Sequence, residues 1–169
     1  GMFPLLDDQS PGNEDRRRKK VAMVRYKDVH FIKDFWKKIR WPQVKKQERT
    51  LEKCVRTYGN DVSCLVDLAR HSIVFETVQD LIGCLKSIQE DKEIIIVRIK
   101  NRFSCSYDSR ASYGYRDVAL NLRICNNVTC YYGLQNHIVE LQLLLREFAE
   151  VKSDAGHSRY VTCRNLRAE

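Results

Sequence analysis

Alternating apolar and polar side chains over residues 115–124 constrain the fold of this chain more than any other feature. The apolar set falls on one side of a sheet, because successive side chains of a β-strand point to opposite faces: Val118, Leu120, Leu122 and Ile124. The intervening set is too polar for a core: Tyr115, Asp117, Ala119, Asn121 and Arg123. This strand therefore predicts a sheet with one packed face and one polar face. The polar face either meets water, which is the commoner case, or lines a cleft.

A second strand is predicted over residues 136–145, where the apolar run is interrupted by Glu140 and Gln142. These two side chains are two positions apart and so lie on the same face. A carboxylate within so apolar a strand is rarely buried without a partner or a metal ion. Glu140 is therefore the first candidate for a functional residue.

The remaining pattern predicts one α+β domain over residues 21–169, with a mixed sheet of about four or five strands flanked by helices. Strands are expected near 71–76, 93–103, 115–125 and 136–145, with a turn at Asn126-Asn127. Helices are expected over 28–39, 44–58 and 77–90 and from 146 to the end. Residues 1–20 contain little to bury and include a basic run, so we expect a disordered basic tail there.

The composition favours an anionic partner. The net charge is +8 and the isoelectric point is about 9.2, which suits a nucleotide, a nucleic acid or an acidic membrane surface. No apolar run is long enough to span a bilayer. The 7 cysteines form no zinc-type spacing, so reduced thiols in the cytoplasm are expected.

Two rows of cations could bind phosphates. The helix over 44–58 carries Lys46, Arg49, Lys53 and Arg56 on one stripe, where an opposing anion such as a triphosphate would relieve their repulsion. The alternative is a solvated helix face neutralised by neighbouring glutamates. The second row, on one face of the strand over 93–103, also calls for a phosphate or an acidic neighbour: Arg98, Lys100 and Arg102.

Asp67 lies just before the strand over 71–76. A carboxylate at the mouth of a strand is a common position for a magnesium ligand in nucleotide enzymes. Turns and helix ends also carry Asp routinely, so a structural role is the alternative.

Taken in order, these pieces resemble the synthetase domain of the RelA/SpoT family, over residues 44–160. Members of that family move a diphosphate from ATP to a ribose hydroxyl. The ordered matches are the basic helix Lys46-Arg49-Lys53, Asp67-Leu68 before a strand, Arg98-Ile99-Lys100-Asn101-Arg102-Phe103, Gly114-Tyr115, and Glu140-Leu141-Gln142 followed by Ala149-Glu150 and Gly156-His157.

The resemblance implies a nucleotidyltransferase-like fold and a role for each matched residue. Asp67 and Glu140 would hold Mg²⁺, and Glu140 would also help to deprotonate the acceptor hydroxyl. Tyr115 would stack on the acceptor base, which is guanine in the alarmone synthetases. The ATP phosphates would be contacted by Lys46, Arg49 and Lys53. The acceptor phosphates would be surrounded by Arg98, Lys100 and Arg110. Arg70 and Gln142 would also bind nucleotide.

The sequence departs from the family pattern at two places. The family's Gly-Tyr-x-Ser-x-His reads here as Gly114-Tyr115-Arg116-Asp117-Val118-Ala119, and Ser72 stands where an Arg is usual, with Arg70 nearby as a substitute. The His-Asp metal motif of the hydrolase domain in long members is missing from this sequence, so alarmone hydrolysis by that route is not expected.

Two function classes therefore stay open. One is an active Mg²⁺-dependent pyrophosphokinase that uses ATP and a guanosine or other nucleotide, or a tRNA end, as the acceptor. The other is a catalytically silent nucleotide-binding or regulatory module.

Overall fold

The computed structural model describes residues 2–4, 23–39, 41 and 44–151. Within these residues the chain forms a mixed six-stranded sheet with the order β2-β1-β3-β6-β5-β4. The strands are β1 (Met2–Pro4), β2 (Met23–Arg25), β3 (Arg70–Phe75), β4 (Ile94–Asn101), β5 (Val118–Ile124) and β6 (Ile138–Leu145). The α-helices are α1 (Tyr26–Val29), α2 (Gln47–Tyr58), α3 (Val78–Glu90), α4 (Asn127–Tyr131) and α5 (Arg146–Val151).

The four longer strands are those that the alternation predicts, and the mixed sheet with flanking helices is confirmed. β3 and β6 run parallel, while β6, β5 and β4 are antiparallel neighbours. The register places Leu120 of β5 opposite Leu141 of β6, and Ile73 of β3 opposite Leu143. One face of the sheet is therefore mainly apolar, with His71 of β3 opposite Leu141 as a polar exception.

Helix α3 covers this apolar face. Thr77 caps the helix by accepting a hydrogen bond from the Asp80 backbone N–H, which satisfies one of the donors that a helix start leaves open. Leu81 and Ile88 of α3 are buried against the strands. The main core formed between α3 and the sheet contains Phe75, Leu81, Ile88, Val118, Leu120, Leu122 and Leu143.

A smaller apolar cluster lies on the opposite face, at one end of the sheet. It is formed by Met2, Val74 and Leu144, with Tyr115 and Ala149 packed against it. Met2 reaches it because β1 pairs antiparallel with β3, with Met2 opposite Val74. Met2–Pro4 form this strand although the sequence places them in a disordered tail, so the expectation was wrong there. Residues 5–22 lie outside the described residues.

Two further segments differ from the sequence prediction. The helix expected over 28–39 is broken: α1 ends at Val29, Asp34 has a φ of 61°, and a short 3-10 helix follows over Phe35–Lys38. A left-handed residue cannot continue an α-helix. The turn expected at Asn126-Asn127 is instead the start of α4, where the Asn126 side chain accepts from the Thr129 N–H in a capping box. Asn favours both settings, because its short side chain bonds to the nearby backbone.

The C-terminal helix is described only as far as Val151, so the expected continuation to residue 169 and the Gly156-His157 match lie outside the described residues. Among the described helices, none combines the length and the apolar character that a membrane crossing requires. The six cysteines in the described part of the chain are free thiols.

Candidate functional site

The sheet face opposite α3 is polar in its central part. The register aligns one row of side chains across four strands, from Arg70 of β3 to Glu140 of β6, Asn121 of β5 and Arg98 of β4. The neighbouring row holds Ser72, Gln142, Ala119 and Lys100. Paired residues of adjacent strands share a face, so these eight positions form one surface, which we call the polar face.

Glu140 lies at the centre of the polar face, and its side chain is 20% exposed. Gln142 Nε2 donates a hydrogen bond to Glu140 Oε1 at 2.9 Å, and Arg70 Nη1 lies 4.0 Å from the same oxygen. Ser72 Oγ donates to Gln142 Oε1 at 3.3 Å, which fixes the amide that holds Glu140. Within the described part of the chain, both contacts of Glu140 use Oε1, so Oε2 is available to a ligand.

Asn121 is a polar-face residue that the matched motifs did not single out. Its side-chain nitrogen Nδ2 is buried and has no hydrogen-bond partner among the described residues. Buried polar groups are nearly always paired, so an orphan donor calls for a ligand or a water molecule. The alternation in β5 puts Asn121 on the polar face, but only the register shows that it is adjacent to Glu140.

Arg98 and Lys100 occupy the β4 edge of the polar face and are exposed. Neither forms an ion pair with any residue that the structure describes. Their charge is therefore available to an anionic ligand, such as the phosphate that the sequence pattern predicts for this strand. Phosphate binding by these two residues stays a prediction.

Asp67 lies between two lysines at the approach to β3. Lys45 Nζ and Lys53 Nζ contact Asp67 Oδ2 at 2.7 and 3.0 Å. Burial by itself would raise the pKa of Asp67, but the hydrogen bonds and charges of the two lysines outweigh it and hold the pKa below its usual value. The other oxygen, Oδ1, is buried and has no partner within the described residues.

Three of the four cations in the α2 stripe contact a carboxylate within the chain. Arg49 Nη1 and Arg56 Nη1 contact the two oxygens of Glu52 at 2.5 and 3.1 Å, and Lys53 is paired with Asp67. Lys46, at the helix start, is exposed, and the adjacent Lys45 makes the contact to Asp67 instead. The contact of Arg49 with Glu52 matches the alternative of a helix face neutralised by neighbouring glutamates, whereas Lys53 has a partner outside the helix. Their contact with nucleotide phosphates stays a prediction.

Tyr115, Asp117 and Arg102 form a buried network at the end of the polar face. The side chain of Asp117 is fully buried; its Oδ1 accepts from Arg102 Nη1, and its Oδ2 accepts from the Tyr115 hydroxyl at 3.0 Å. Burial, followed by the Asp117 charge and hydrogen bond, raises the pKa of Tyr115. The Tyr115 ring packs on the small apolar cluster and is half-buried, and base stacking by this ring stays a prediction.

Asp117 occupies the position of the family's Ser. It forms a buried ion pair with Arg102, which the motif does not predict. The sequence shows each of the two charges at an alternating position of its strand, but it does not show that they pair. Arg102 continues the alternating cations of β4, and Asp117 continues the polar positions of β5. Antiparallel pairing of the two strands brings these opposite charges together, as the bond from the Arg102 N–H to the Asp117 carbonyl at 2.9 Å shows.

Arg110 lies in a short 3-10 helix after β4. Its guanidinium binds Asp108 through Nε and Nη2, each at 3.0 Å, and its side chain is 90% exposed. A surface pair of this kind is easily exchanged for another anion. Its predicted contact with acceptor phosphates stays a prediction.

The donor set fits a magnesium ion that arrives with a phosphate ligand. Mg²⁺ is commonly held by one or two carboxylates together with waters and substrate phosphates. Asp67 Oδ1 is buried without a hydrogen-bond partner among the described residues, and the contacts given for the Glu140 side chain use Oε1 and leave Oε2 open. No group of three or more His, Cys, Asp or Glu side chains suited to a metal occurs in the described part of the chain, so an all-protein metal cage does not fit.

No protein-family model matches this sequence, and no curated protein matches it in a sequence comparison. Solved structures do match. The small alarmone synthetase 1 from Bacillus subtilis, solved with its product pppGpp, aligns with a TM-score of 0.57 at 21% identity, over 76% of this chain and 67% of that one. The small alarmone synthetase 2 from the same organism gives 0.55 at 19% identity, over 73% and 62%. A GTP pyrophosphokinase family protein from Streptococcus pneumoniae gives 0.57 at 15% identity, over 75% and 60%.

The chain spans about three fifths to two thirds of the length of these neighbours. At such identities the likeness establishes the fold, and function has to be argued from the site. The chain has the fold of the small alarmone synthetases, as the predicted RelA/SpoT-like synthetase domain requires.

Proposed function

We propose that this protein is a pyrophosphokinase, which transfers a diphosphate from ATP to a ribose hydroxyl of a nucleotide acceptor, with guanosine nucleotides as the first candidates. The observation that carries the proposal is Glu140, a half-buried carboxylate on a cationic sheet face, in a fold shared with proteins named as alarmone synthetases and GTP pyrophosphokinases.

The polar face has the charges that two nucleotides would need. Arg98 and Lys100 carry positive charge that no described residue neutralises, and Arg70 lies beside Glu140. Arginine and lysine bind phosphate oxygens through charge-assisted hydrogen bonds, and they stabilise the negative charge that develops during transfer. In this proposal Tyr115 lies against the acceptor base, at the edge of the small apolar cluster.

In the proposed reaction the acceptor hydroxyl oxygen attacks the β-phosphorus of ATP. The bond between that phosphorus and the oxygen of the α-phosphate breaks, AMP leaves, and the hydroxyl proton passes to Glu140. A carboxylate within hydrogen-bond reach of the hydroxyl can accept that proton. Gln142 holds Oε1 of Glu140, so Oε2 is directed to the proton. Positioning and charge neutralisation supply most of the rate in such reactions.

Asp67 and Glu140 are the residues that would hold Mg²⁺, Asp67 through Oδ1, which has no hydrogen-bond partner among the described residues. Bound Mg²⁺ neutralises phosphate charge and favours departure of the leaving group. Lys45 and Lys53 would keep Asp67 ionised for this role, since they lower its pKa.

A second candidate function is a catalytically silent module that binds nucleotides. Two observations favour it: both lysines already neutralise Asp67, and Ala119 leaves the family's His position without a polar group. A fold often outlasts its chemistry.

A transfer assay separates the two candidates. Wild-type protein is incubated with Mg²⁺, ATP labelled on the γ-phosphate, and GDP, GTP, other nucleotides or bulk tRNA as acceptors. We expect label on one acceptor together with release of AMP. Glu140→Gln should reduce the rate by about 10²- to 10⁴-fold, as loss of a general base does, and should leave the thermal unfolding temperature unchanged.

The matched control is Glu90→Gln, because Glu90 is exposed at the end of α3. Removing its charge should leave the transfer rate unchanged. No transfer by folded wild-type protein would contradict the pyrophosphokinase proposal. Nucleotide binding without transfer would then favour the silent module.

A further inference from the structure

We propose that Asn121 binds the nucleotide that accepts the diphosphate. Its side-chain amide donates a hydrogen bond to an oxygen of that nucleotide, which lies between Glu140 and Arg98. This inference rests on the proposed function, because it names the acceptor subsite of the same polar face. It assigns a role to a residue outside the motifs that the chain shares with the family.

The first observation is the state of the amide itself. Nδ2 of Asn121 is buried, yet it has no hydrogen-bond partner among the described residues. An amide nitrogen carries two N–H donors and cannot accept, so the missing partner is an acceptor oxygen. A buried donor that stays unpaired destabilises the folded protein. Such a residue is expected where a ligand supplies the missing acceptor.

The second observation is its position. Asn121 pairs directly with Glu140 of β6 on one side and with Arg98 of β4 on the other. Directly opposite side chains of neighbouring antiparallel strands have Cβ atoms about 4.5–5.5 Å apart. A ligand atom bonded to Nδ2 therefore lies within reach of a carboxylate and a guanidinium.

These three neighbours define the chemistry of the ligand. The Glu140 carboxylate can bind a hydroxyl or a metal ion, and the Arg98 guanidinium can bind an anionic oxygen. The Asn121 amide can donate to an oxygen that accepts a hydrogen bond. A ribose with a free hydroxyl and a phosphate group satisfies all three. The subsite therefore fits the phosphorylated ribose of the acceptor nucleotide.

The other polar-face residue of β5 does not offer this donor, because Ala119 has no polar side-chain atom. Arg123, farther along the same side of β5, donates through Nε to the Gln135 carbonyl at 3.2 Å and through Nη2 to the Asn136 side chain, so it fixes the segment between α4 and β6. Asn121 is thus the contribution of β5 to the acceptor subsite.

The test uses Asn121→Leu, which keeps a similar volume and removes both donors. We expect the KM for the acceptor to rise by about 10- to 100-fold, as loss of a hydrogen bond to a charged group does, while the KM for ATP is unchanged. Without nucleotide, the unfolding temperature of the variant should be equal to or above that of the wild type, since an unpaired buried donor has been removed.

The matched control is Asn127→Leu, because Asn127 is exposed at the start of α4 and should change neither KM. An unchanged acceptor KM in Asn121→Leu would overturn the inference. If the unfolding temperature without nucleotide also falls by several degrees, the Asn121 amide makes a hydrogen bond within the protein and has a structural role.

The inference and the proposed function can fail separately. If wild-type protein transfers nothing, acceptor binding is measured by calorimetry with GDP and GTP. Wild-type binding that weakens about tenfold or more in Asn121→Leu would keep the inference and remove the pyrophosphokinase. Equal binding by both proteins, or no binding by the wild-type protein, would overturn the inference as well. If the wild-type protein does transfer diphosphate, an unchanged acceptor KM in Asn121→Leu overturns the inference and leaves the pyrophosphokinase proposal intact.

Discussion

Replacing Asp67 by Asn tests the ion-pair cluster at the approach to β3. The substitution keeps the shape of the side chain and removes its charge. Lys45 Nζ and Lys53 Nζ, which lie 2.7 and 3.0 Å from Asp67 Oδ2, would then face a neutral amide. If the cluster is as described, the variant loses stability. If Asp67 instead were a buried charge without stabilising partners, removal of its charge would stabilise the protein. The sign of the change therefore separates the two descriptions.

The size of the effect follows from burial. The Asp67 side chain is 10% exposed, and those of Lys45 and Lys53 are 23% and 24% exposed. Removing one partner of a buried ion pair costs about 3–5 kcal/mol. Each lysine can turn toward water, so we expect the lower end, about 3 kcal/mol in the free energy of unfolding. For a chain of this size, that corresponds to a fall of about 6–12 °C in the unfolding temperature.

The pH dependence gives a second readout. The folded-state pKa of Asp67 lies below its ordinary value of 3.8, so its contribution to stability is fully present above that value and is lost as the pH falls through the folded pKa. We expect the difference in free energy of unfolding between wild type and Asp67→Asn to be constant from about pH 6 to pH 8, well above 3.8. In acid this difference should shrink.

The assay is thermal and chemical denaturation of both proteins without metal ions. The control is Asp28→Asn, because Asp28 is exposed in α1 and should leave the unfolding temperature unchanged. An unchanged or higher unfolding temperature for Asp67→Asn would refute the described ion-pair cluster.

Two further predictions concern neighbouring charges. Asp117→Ala should lower the free energy of unfolding by about 3 kcal/mol, because it leaves Arg102, 20% exposed, without its buried partner; a loss below about 1 kcal/mol in chemical denaturation would contradict the network. Lys45→Met should lower the same quantity by about 1–2 kcal/mol, whereas Lys46→Met should change it by less than about 0.5 kcal/mol. Equal losses in the last two variants would mean that the choice of Lys45 as the partner of Asp67 is wrong.

The central strands and the two long helices could be predicted because their pattern is local. A strand with one covered face must alternate, as β5 does, and an amphipathic helix such as α3 must repeat its apolar residues at helical spacing. The broken segment after Val29 could not be predicted in this way. There the apolar spacing suits a helix, but Asp34 adopts a left-handed conformation, and Phe31 is 71% exposed.

The positions of the candidate site residues could be predicted in part. Glu140 was identified from its setting in an apolar strand, and the structure places it on the polar face beside Arg70. The choice between Lys45 and Lys46 could not be made from spacing, because both lie at the helix start and only the fold brings one of them to Asp67. Asn121 was one polar residue among several until the register placed it beside Glu140.

The sequence by itself determined that the chain forms a two-faced sheet with a carboxylate on its polar side. Alternation and helical spacing record which face of each element is buried, and burial is the dominant stabilising term in folding. Only the tertiary structure decided which side chains meet. Met2 against Val74, Arg102 against Asp117 and Asn121 against Glu140 are contacts between separate strands. Such contacts depend on strand order and register, which the pattern within any single strand does not contain.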